Sequence, residues 1–398
     1  MSDPIQRPCP VCAGSKRRNV YTQRFLDGPI CDQYEVVICL DCGAGFADGI
    51  PSQEKLDRYY ADHTKYAYGH TGGVESIWDI KRFEATVGWL TPQLRTTSAR
   101  ILDIGCATGG LLSVFVRRGF SEVLGVDPSK ECAAAALHLY KIKVRTATLH
   151  DLAGWTERFD LVLMVGVLEH LHNVREAVTV VRELLTADGL IYCAVPDVEG
   201  LADSHNAPFQ QFSVEHLNFF SMESLSLLMG ACGFQPVAKR CWSVEWREGV
   251  IEPIATGLFR RGPRETEAKD NVTGDAFKRY IEFSKKGDLR ILKTINALWL
   301  SGEPILVWGT GTLTRRLLAT TNLGSANIVA FVDSYRDPDK TTLANRPIWG
   351  PDRLPGRAER IVIGSIAFER EIVDTIRHKY RCSNELVLLM GPNYGKLA

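Results

Sequence analysis

Ten residues, Ile101-Leu-Asp103-Ile-Gly105-Cys-Ala107-Thr-Gly109-Gly110, restrict the fold of this chain more than any other segment. A short apolar run ends beside an acid and passes straight into a glycine turn, and residues 111–118 continue at helical spacing. Glycine suits such a turn because a backbone without Cβ bends tightly and lets a ligand lie against it. Residues 122–126 read as a second apolar strand, which ends in Asp127, 17 positions beyond Gly110. A carboxylate at that tip can accept hydrogen bonds from both hydroxyls of a ribose. Strand, loop, helix, strand and terminal acid in register predict an α/β domain that holds a nucleoside-bearing ligand.

Dinucleotide sites use three glycines and a helix N-terminus to hold a pyrophosphate. Here the turn from Asp103 to Gly109 has the order Asp-x-Gly-x-x-x-Gly, and nothing in it selects a diphosphate. That order resembles class I (Rossmann-like) S-adenosylmethionine (SAM) methyltransferases. Residues 159–165 look like that family's fourth strand, followed by Gly166-Val-Leu-Glu169-His170-Leu. Residues 184–196 look like its last helix end, a turn over the polar 186–189 stretch, and the next strand. The likeness covers roughly residues 80–240. It implies SAM contacts from Asp103, Gly105, Ala107 and Gly109 in the loop, Asp127 and Pro128 at the second strand tip, Asp151 and Leu152 near adenine, and Gly166 after the fourth strand.

Lys plus Arg and Asp plus Glu both total 47, so no net field draws the chain to nucleic acid or an anionic membrane. No stretch approaches the roughly 20 apolar residues of a membrane span, and the N-terminus lacks an apolar signal core. Eleven cysteines without such a signal predict metal ligands and free thiols in a cytoplasmic protein, rather than a disulfide framework.

Four of those cysteines form two knuckles, Cys9-Pro-Val-Cys12 and Cys39-Leu-Asp-Cys42, separated by 26 residues. Each knuckle can place two thiolates on one ion, and the pair completes a tetrahedral shell with no position open to water or substrate. One structural zinc per chain is the expectation, holding a segment too small for a large core of its own.

A knuckle module ahead of a SAM domain resembles the zinc-containing sugar C-methyltransferases, which act on nucleotide-linked keto-deoxysugars. The resemblance implies three parts: a zinc-binding module at 1–62, a SAM-dependent methyltransferase domain at 63–262, and a second Rossmann-like α/β domain at 276–398. The polar, turn-rich 262–275 stretch suits a linker. Beyond it Phe277, Ile281, Ile291, Ile295 and Leu298 recur at roughly helical intervals. Strands are expected at 304–308, 328–332, 360–365 and 385–390. Gly309, Gly311 and Asp333 imitate a dinucleotide loop that lacks its third glycine. Two readings stand for it: a degenerate fold that walls the substrate site, or a nucleotide-diphosphate subsite with Arg315 or Arg316 as anion partner.

Ligands of open α/β sheets bind beyond the carboxyl ends of the strands. Two histidines belong there: His170, just after the fourth strand, and His216, just before a helix predicted at 222–230. Imidazole titrates near neutrality, so either can move a proton during alkylation. Relatives in the sugar C-methyltransferase family carry Tyr-x-Glu-His at the second place, with its histidine as base. Glu215 and His216 match that motif, whereas Ser213 stands where the tyrosine would be. Tyr66 and Tyr68 resemble a tyrosine-containing segment of the same family and are the candidates to replace it, Tyr68 first. The resemblance implies methyl transfer to carbon of a nucleotide-sugar, with O- or N-methylation of another small metabolite and a non-catalytic SAM-binding scaffold as alternatives.

Overall fold

In the computed structural model, residues 6–62, 73–204, 206–265, 268–334 and 341–390 are described, and they form three β-sheets. The first is antiparallel. Strand β1 (Arg17–Arg24) is its half-exposed edge, β2 (Gln33–Cys39) is buried at every position but two, and β3 (Gly45–Asp48) is wholly buried. Helix α1 (Gln53–Asp62) follows. Each knuckle closes on a residue in the left-handed region, Ala13 (φ +64°) after the first and Gly43 (φ +85°) after the second. The two turns repeat one hydrogen-bond plan, with Ala13 N donating to Cys9 O and Gly43 N to Cys39 O, each at 2.9 Å.

The central sheet grows from runs that are apolar on both faces, as strands covered by helices on both sides must be. In chain order its region comprises α2 (Ile77–Leu90), β4 (Ile101–Ile104), α3 (Gly110–Arg117), β5 (Val123–Asp127), α4 (Lys130–Tyr140), β6 (Val144–Thr146), β7 (Phe159–Val165), α5 (Val174–Leu184) and β8 (Leu185–Pro196). Next come β9 (Asn218–Phe219), α6 (Met222–Ala231), β10 (Phe234–Arg247) and β11 (Val250–Arg261). The strand order is β10-β11-β8-β7-β4-β5-β6. Strands β4 to β8 run parallel, while β11 is antiparallel to β8 and forms a long hairpin with β10. Neighbours β5 and β7 flank β4 on opposite sides, which puts the loops after β4 and β7 at the switch point of the sheet. The turn expected over 186–189 is instead a bulge inside β8, because Leu185 pairs with Phe159 and Leu190 with Leu161. Thr186 Oγ1 donates to Asp160 Oδ1 at 3.1 Å, so the polar residues of the bulge are held at the sheet.

The boundary expected at residue 62 divides the chain but not the first sheet. Its fourth strand is β9, from the central region, which pairs with β3 through Gly45–Phe219 and Phe46–Asn218. Arg7, 3% exposed, fastens the same junction: its guanidinium donates to Ala47 O, His172 O, Leu217 O and Asn218 Oδ1. Cys9, Val11, Cys39 and Cys42 pack in one apolar cluster with residues of α5, α6 and β7.

The 262–275 stretch is no free spacer where it is described. Asp270 N donates to Cys42 O, and the buried Asp270 carboxylate accepts from the amides of Val272 and Thr273 and the hydroxyls of Thr273 and Ser221. These bonds hold the turn from which α7 (Thr273–Ser301) starts, inside the expected linker. Phe277, Ile281, Ile291, Ile295 and Leu298 form its buried face. The third sheet then contains β12 (Ile305–Trp308), β13 (Ile328–Val332), β14 (Thr342–Leu343), β15 (Arg346–Trp349), β16 (Arg360–Ile363) and β17 (Leu386–Leu388), with α8 (Thr312–Thr320) and α9 (Glu369–Asp374) between them. Its order is β14-β15-β13-β12-β16-β17, parallel except for β14. Among the described residues no helix is long and apolar enough to cross a membrane.

Candidate active site

The loop after β4 takes the shape its glycines allow. Gly105 (φ +72°), Ala107 (φ +48°) and Gly109 (φ +80°) are all in the left-handed region. Asp127 ends β5 opposite this loop, where Oδ2 accepts from Ala107 N and Oδ1 from Ser129 N, both at 2.9 Å. Asp103 on β4 is 3% exposed, and burial together with the nearby Asp127 charge holds its carboxyl well above the usual range. Burial also raises Asp127, while the Ser129 and Ala107 amides oppose the shift. Pro128 is half-buried beside it, and Gly166 (φ +67°) follows β7. Asp151 is exposed and caps its own turn, accepting from Thr148 N and Oγ1, bonds that lower its pKa. Leu152 turns into the core and is fully buried.

Sequence reasoning missed one acid at this loop. Glu75 Oε1 accepts from Thr108 Oγ1 at 2.7 Å, and a Cβ on Gly110 would stand only 2.2 Å from that oxygen. Burial raises the Glu75 carboxyl. Gly110 is therefore needed for the approach of a side chain of this chain, a role that no local spacing announces.

The loops after β7 and before β9 bring the two histidines together, with ring centroids 5.0 Å apart and planes 69° from parallel. A Cβ on Gly105 would touch Val167 Cγ2 at 2.8 Å, so the His170 loop lies against the glycine loop. His170 Nδ1 is 3.0 Å from Glu215 O and 3.1 Å from the Tyr60 hydroxyl. Since a carbonyl only accepts, Nδ1 carries a hydrogen. Glu215, 9% exposed, accepts from the Tyr59 hydroxyl at 2.7 Å. Glu169, 3% exposed, approaches His170 Nε2 to 3.9 Å, and burial raises its carboxyl.

Ser213 has another task than the tyrosine it replaces. Its hydroxyl accepts from the amides of Glu215 and His216 at 3.2 and 3.1 Å, which fixes the turn that presents His216. Tyr66 and Tyr68 lie outside the described residues. Among the described residues, Tyr60 reaches His170 and Tyr59 reaches Glu215, both from the end of α1; their helix gave no sequence signal of it, because the contacts span 110 and 156 positions.

The four cysteines of the knuckles converge. Sulfurs of Cys9 and Cys42 are 3.6 Å apart, those of Cys12 and Cys39 3.5 Å, and all four lie within 4.8 Å of one another. Bonds of about 2.3 Å to a tetrahedral zinc put sulfurs about 3.8 Å apart, so the cluster fits such an ion. The arginines of the second glycine loop are engaged elsewhere. Arg316 makes a bidentate pair with Asp288 on α7, both bonds at 2.7 Å, and Arg315 donates to Thr310 O, Leu26 O and Asp27 O. Asp333 Oδ2 accepts from Thr310 N and Oγ1. These contacts join α8 to α7 and to the N-terminal hairpin rather than shaping an anion pocket.

Residues 79–239 match the family model of a methyltransferase domain. A ubiquinone biosynthesis O-methyltransferase of Cereibacter sphaeroides is 39% identical over 110 residues, which cover 26% of this chain and 44% of that protein. The corresponding enzyme of Rhizobium etli is 39% identical over 100 residues, 24% of this chain and 40% of its own. The chain thus spans less than half the length of the curated relatives it matches. Among solved structures, the SAM-bound magnesium protoporphyrin IX methyltransferase of Synechocystis has a TM-score of 0.39 at 15% identity, covering 53% of this chain and 98% of that one. A 1,6-didemethyltoxoflavin-N1-methyltransferase of Burkholderia thailandensis has a TM-score of 0.40 at 20% identity, covering 56% and 97%. Residues 79–239 of this chain are a methyltransferase domain.

Proposed function

We propose that the chain is a SAM-dependent methyltransferase that transfers a methyl group to carbon of a nucleotide-linked keto-deoxysugar. The observation that carries this reading is the pairing of a ribose-ready loop with two histidines against it. Asp127 at the tip of β5, with Asp103, Gly105, Ala107, Gly109 and Pro128, forms the SAM cradle; Asp151 and Gly166 complete its rim, while Leu152 packs in the core. When bound there, SAM supplies an electrophilic methyl on a sulfonium. His216 takes the proton alpha to the ketone, and the enolate carbon displaces the sulfide in line. His170 or a tyrosine at the cluster donates to the developing oxyanion, the preorganised contact that lowers such barriers. Tyr59 and Tyr60 support that role by position, and Glu215 anchors both Tyr59 and His170. Cys9, Cys12, Cys39 and Cys42 hold one structural zinc, with no open position for chemistry.

Transfer to oxygen is the second reading. The Ser213 oxygen accepts from two backbone amides of its own turn, and a serine lacks the length of the tyrosine that the C-methylating relatives carry at this place. The curated relatives above are named O-methyltransferases. Product analysis decides between them. Labelled SAM incubated with nucleotide-sugar pools is expected to give a product with the methyl on carbon, and His216→Asn is expected to abolish both transfer and alpha-hydrogen exchange into heavy water. A methyl found on oxygen or nitrogen ends the carbon reading; no transfer to any nucleotide-sugar ends the substrate class.

A further inference from the structure

Glu169 poses a problem that proton transfer by His216 does not solve. It is buried, and its Oε2 has no hydrogen-bond partner among the described residues. A buried carboxylate oxygen left unpaired costs free energy that native structures seldom concede. Its Oε1 faces His170 Nε2 at 3.9 Å, and the ring is held in that orientation by the bond from Nδ1 to Glu215 O. A proton or a metal cation placed between the two satisfies both atoms. The His216 ring completes the group: one ligand atom each from Glu169, His170 and His216 lies within 4.8 Å of the other two.

We propose that Glu169, His170 and His216 bind a divalent first-row transition cation through one carboxylate oxygen and two imidazole nitrogens. That donor set suits manganese, iron, cobalt, nickel or zinc better than magnesium or calcium. The Nδ1–H contact to a backbone carbonyl is the outer-shell bond that orients an imidazole ligand. With bonds of about 2.1 Å, donors stand about 3–3.5 Å apart. The ion thus draws the three groups together by roughly 1 Å, within the reach of ring rotations of the half-buried histidines. Three protein ligands leave positions open for an oxygen of the acceptor molecule. The site is distinct from the four-cysteine cluster and does not depend on which atom is methylated. It does have a consequence for the mechanism, since a cation and a proton compete for the same His216 lone pair, so base catalysis by His216 belongs to the cation-free form.

The test is cobalt(II) titrated calorimetrically into the full-length protein as purified, with absorbance recorded in parallel. The expected result is one cobalt per chain without sulfur-to-metal charge-transfer absorption, and an affinity at least about tenfold weaker in Glu169→Gln and in His216→Ala. The second variant, on a half-buried side chain, keeps the test open should the first fail to fold as judged by circular dichroism. Uptake only at thiolates, or equal affinity in the folded variants and wild type, overturns the assignment. SAM titrated into the same samples keeps the outcomes separate: failure to bind SAM strikes the methyltransferase reading and leaves the cation site standing.

Discussion

Replacing Arg7 by Met should uncouple the cysteine module from the histidine loops. The guanidinium makes four hydrogen bonds: to Ala47 O, His172 O and Asn218 Oδ1, each at 2.9 Å, and to Leu217 O. Methionine fills much of the volume but donates nothing, so buried acceptors lose a charged donor. Each bond to a charged group is worth about 1.5–3 kcal/mol. Against that sum stands the desolvation of the guanidinium, which is large enough to lower its pKa to about 10. Breaking a buried charged arrangement from one side nets about 3–5 kcal/mol, and that is the expected destabilisation. Urea unfolding followed by tryptophan fluorescence measures it. Function should change in a specific way as well. Asn218 Nδ2 donates to Leu168 O and Leu171 O at 2.7 Å, and Arg7 orients that amide, so the turns holding His170 and His216 loosen while the loop of residues 105–109 is untouched. Turnover should therefore fall more than SAM affinity. A stability loss below about 1 kcal/mol would refute the view that Arg7 is the junction's polar anchor.

Three further outcomes follow from the same geometry. Asp127→Ala removes the carboxylate that faces Ala107 N and Ser129 N, and SAM affinity by calorimetry should drop about 10- to 100-fold, the worth of one or two charged hydrogen bonds; unchanged affinity would place the ribose elsewhere. Cys42→Ser should reduce zinc, measured by elemental analysis at one per chain in wild type, and lower the unfolding midpoint, and finding no zinc in fresh wild-type protein would remove the metal. Asp103 has a folded pKa raised by burial and by Asp127, so its contribution to stability is fully present below its unfolded value near 3.9 and is lost as pH rises through the folded value. Asp103→Asn should accordingly gain stability over wild type as pH climbs from about 4 towards neutrality, with no gain at lower pH; denaturation midpoints across that range are the check, and a pH-independent difference would contradict the assignment.

What the sequence determined by itself lies in short contiguous runs. The β4–loop–α3–β5 unit was legible because glycines with positive φ, apolar strands and the terminal Asp127 all sit within 27 residues, from Ile101 to Asp127. The cysteine pairs were legible for the same reason, as each knuckle is one local turn. The buried face of α7 followed from its periodicity. Tertiary structure alone decided the rest. Strand β9 joins a sheet built by residues 17–48, and Tyr59 and Tyr60 reach Glu215 and His170 from α1, because backbone groups and side chains find partners by distance in space, to which sequence spacing is blind. The polar 186–189 stretch shows the limit in the other direction: its composition reads as a turn, yet ladder bonds to β7 hold it as a bulge. Likewise Arg315 and Arg316 read as anion ligands beside a glycine loop, but burial requires such charges to be paired, and Asp288 and the carbonyls of the N-terminal hairpin were the partners within reach.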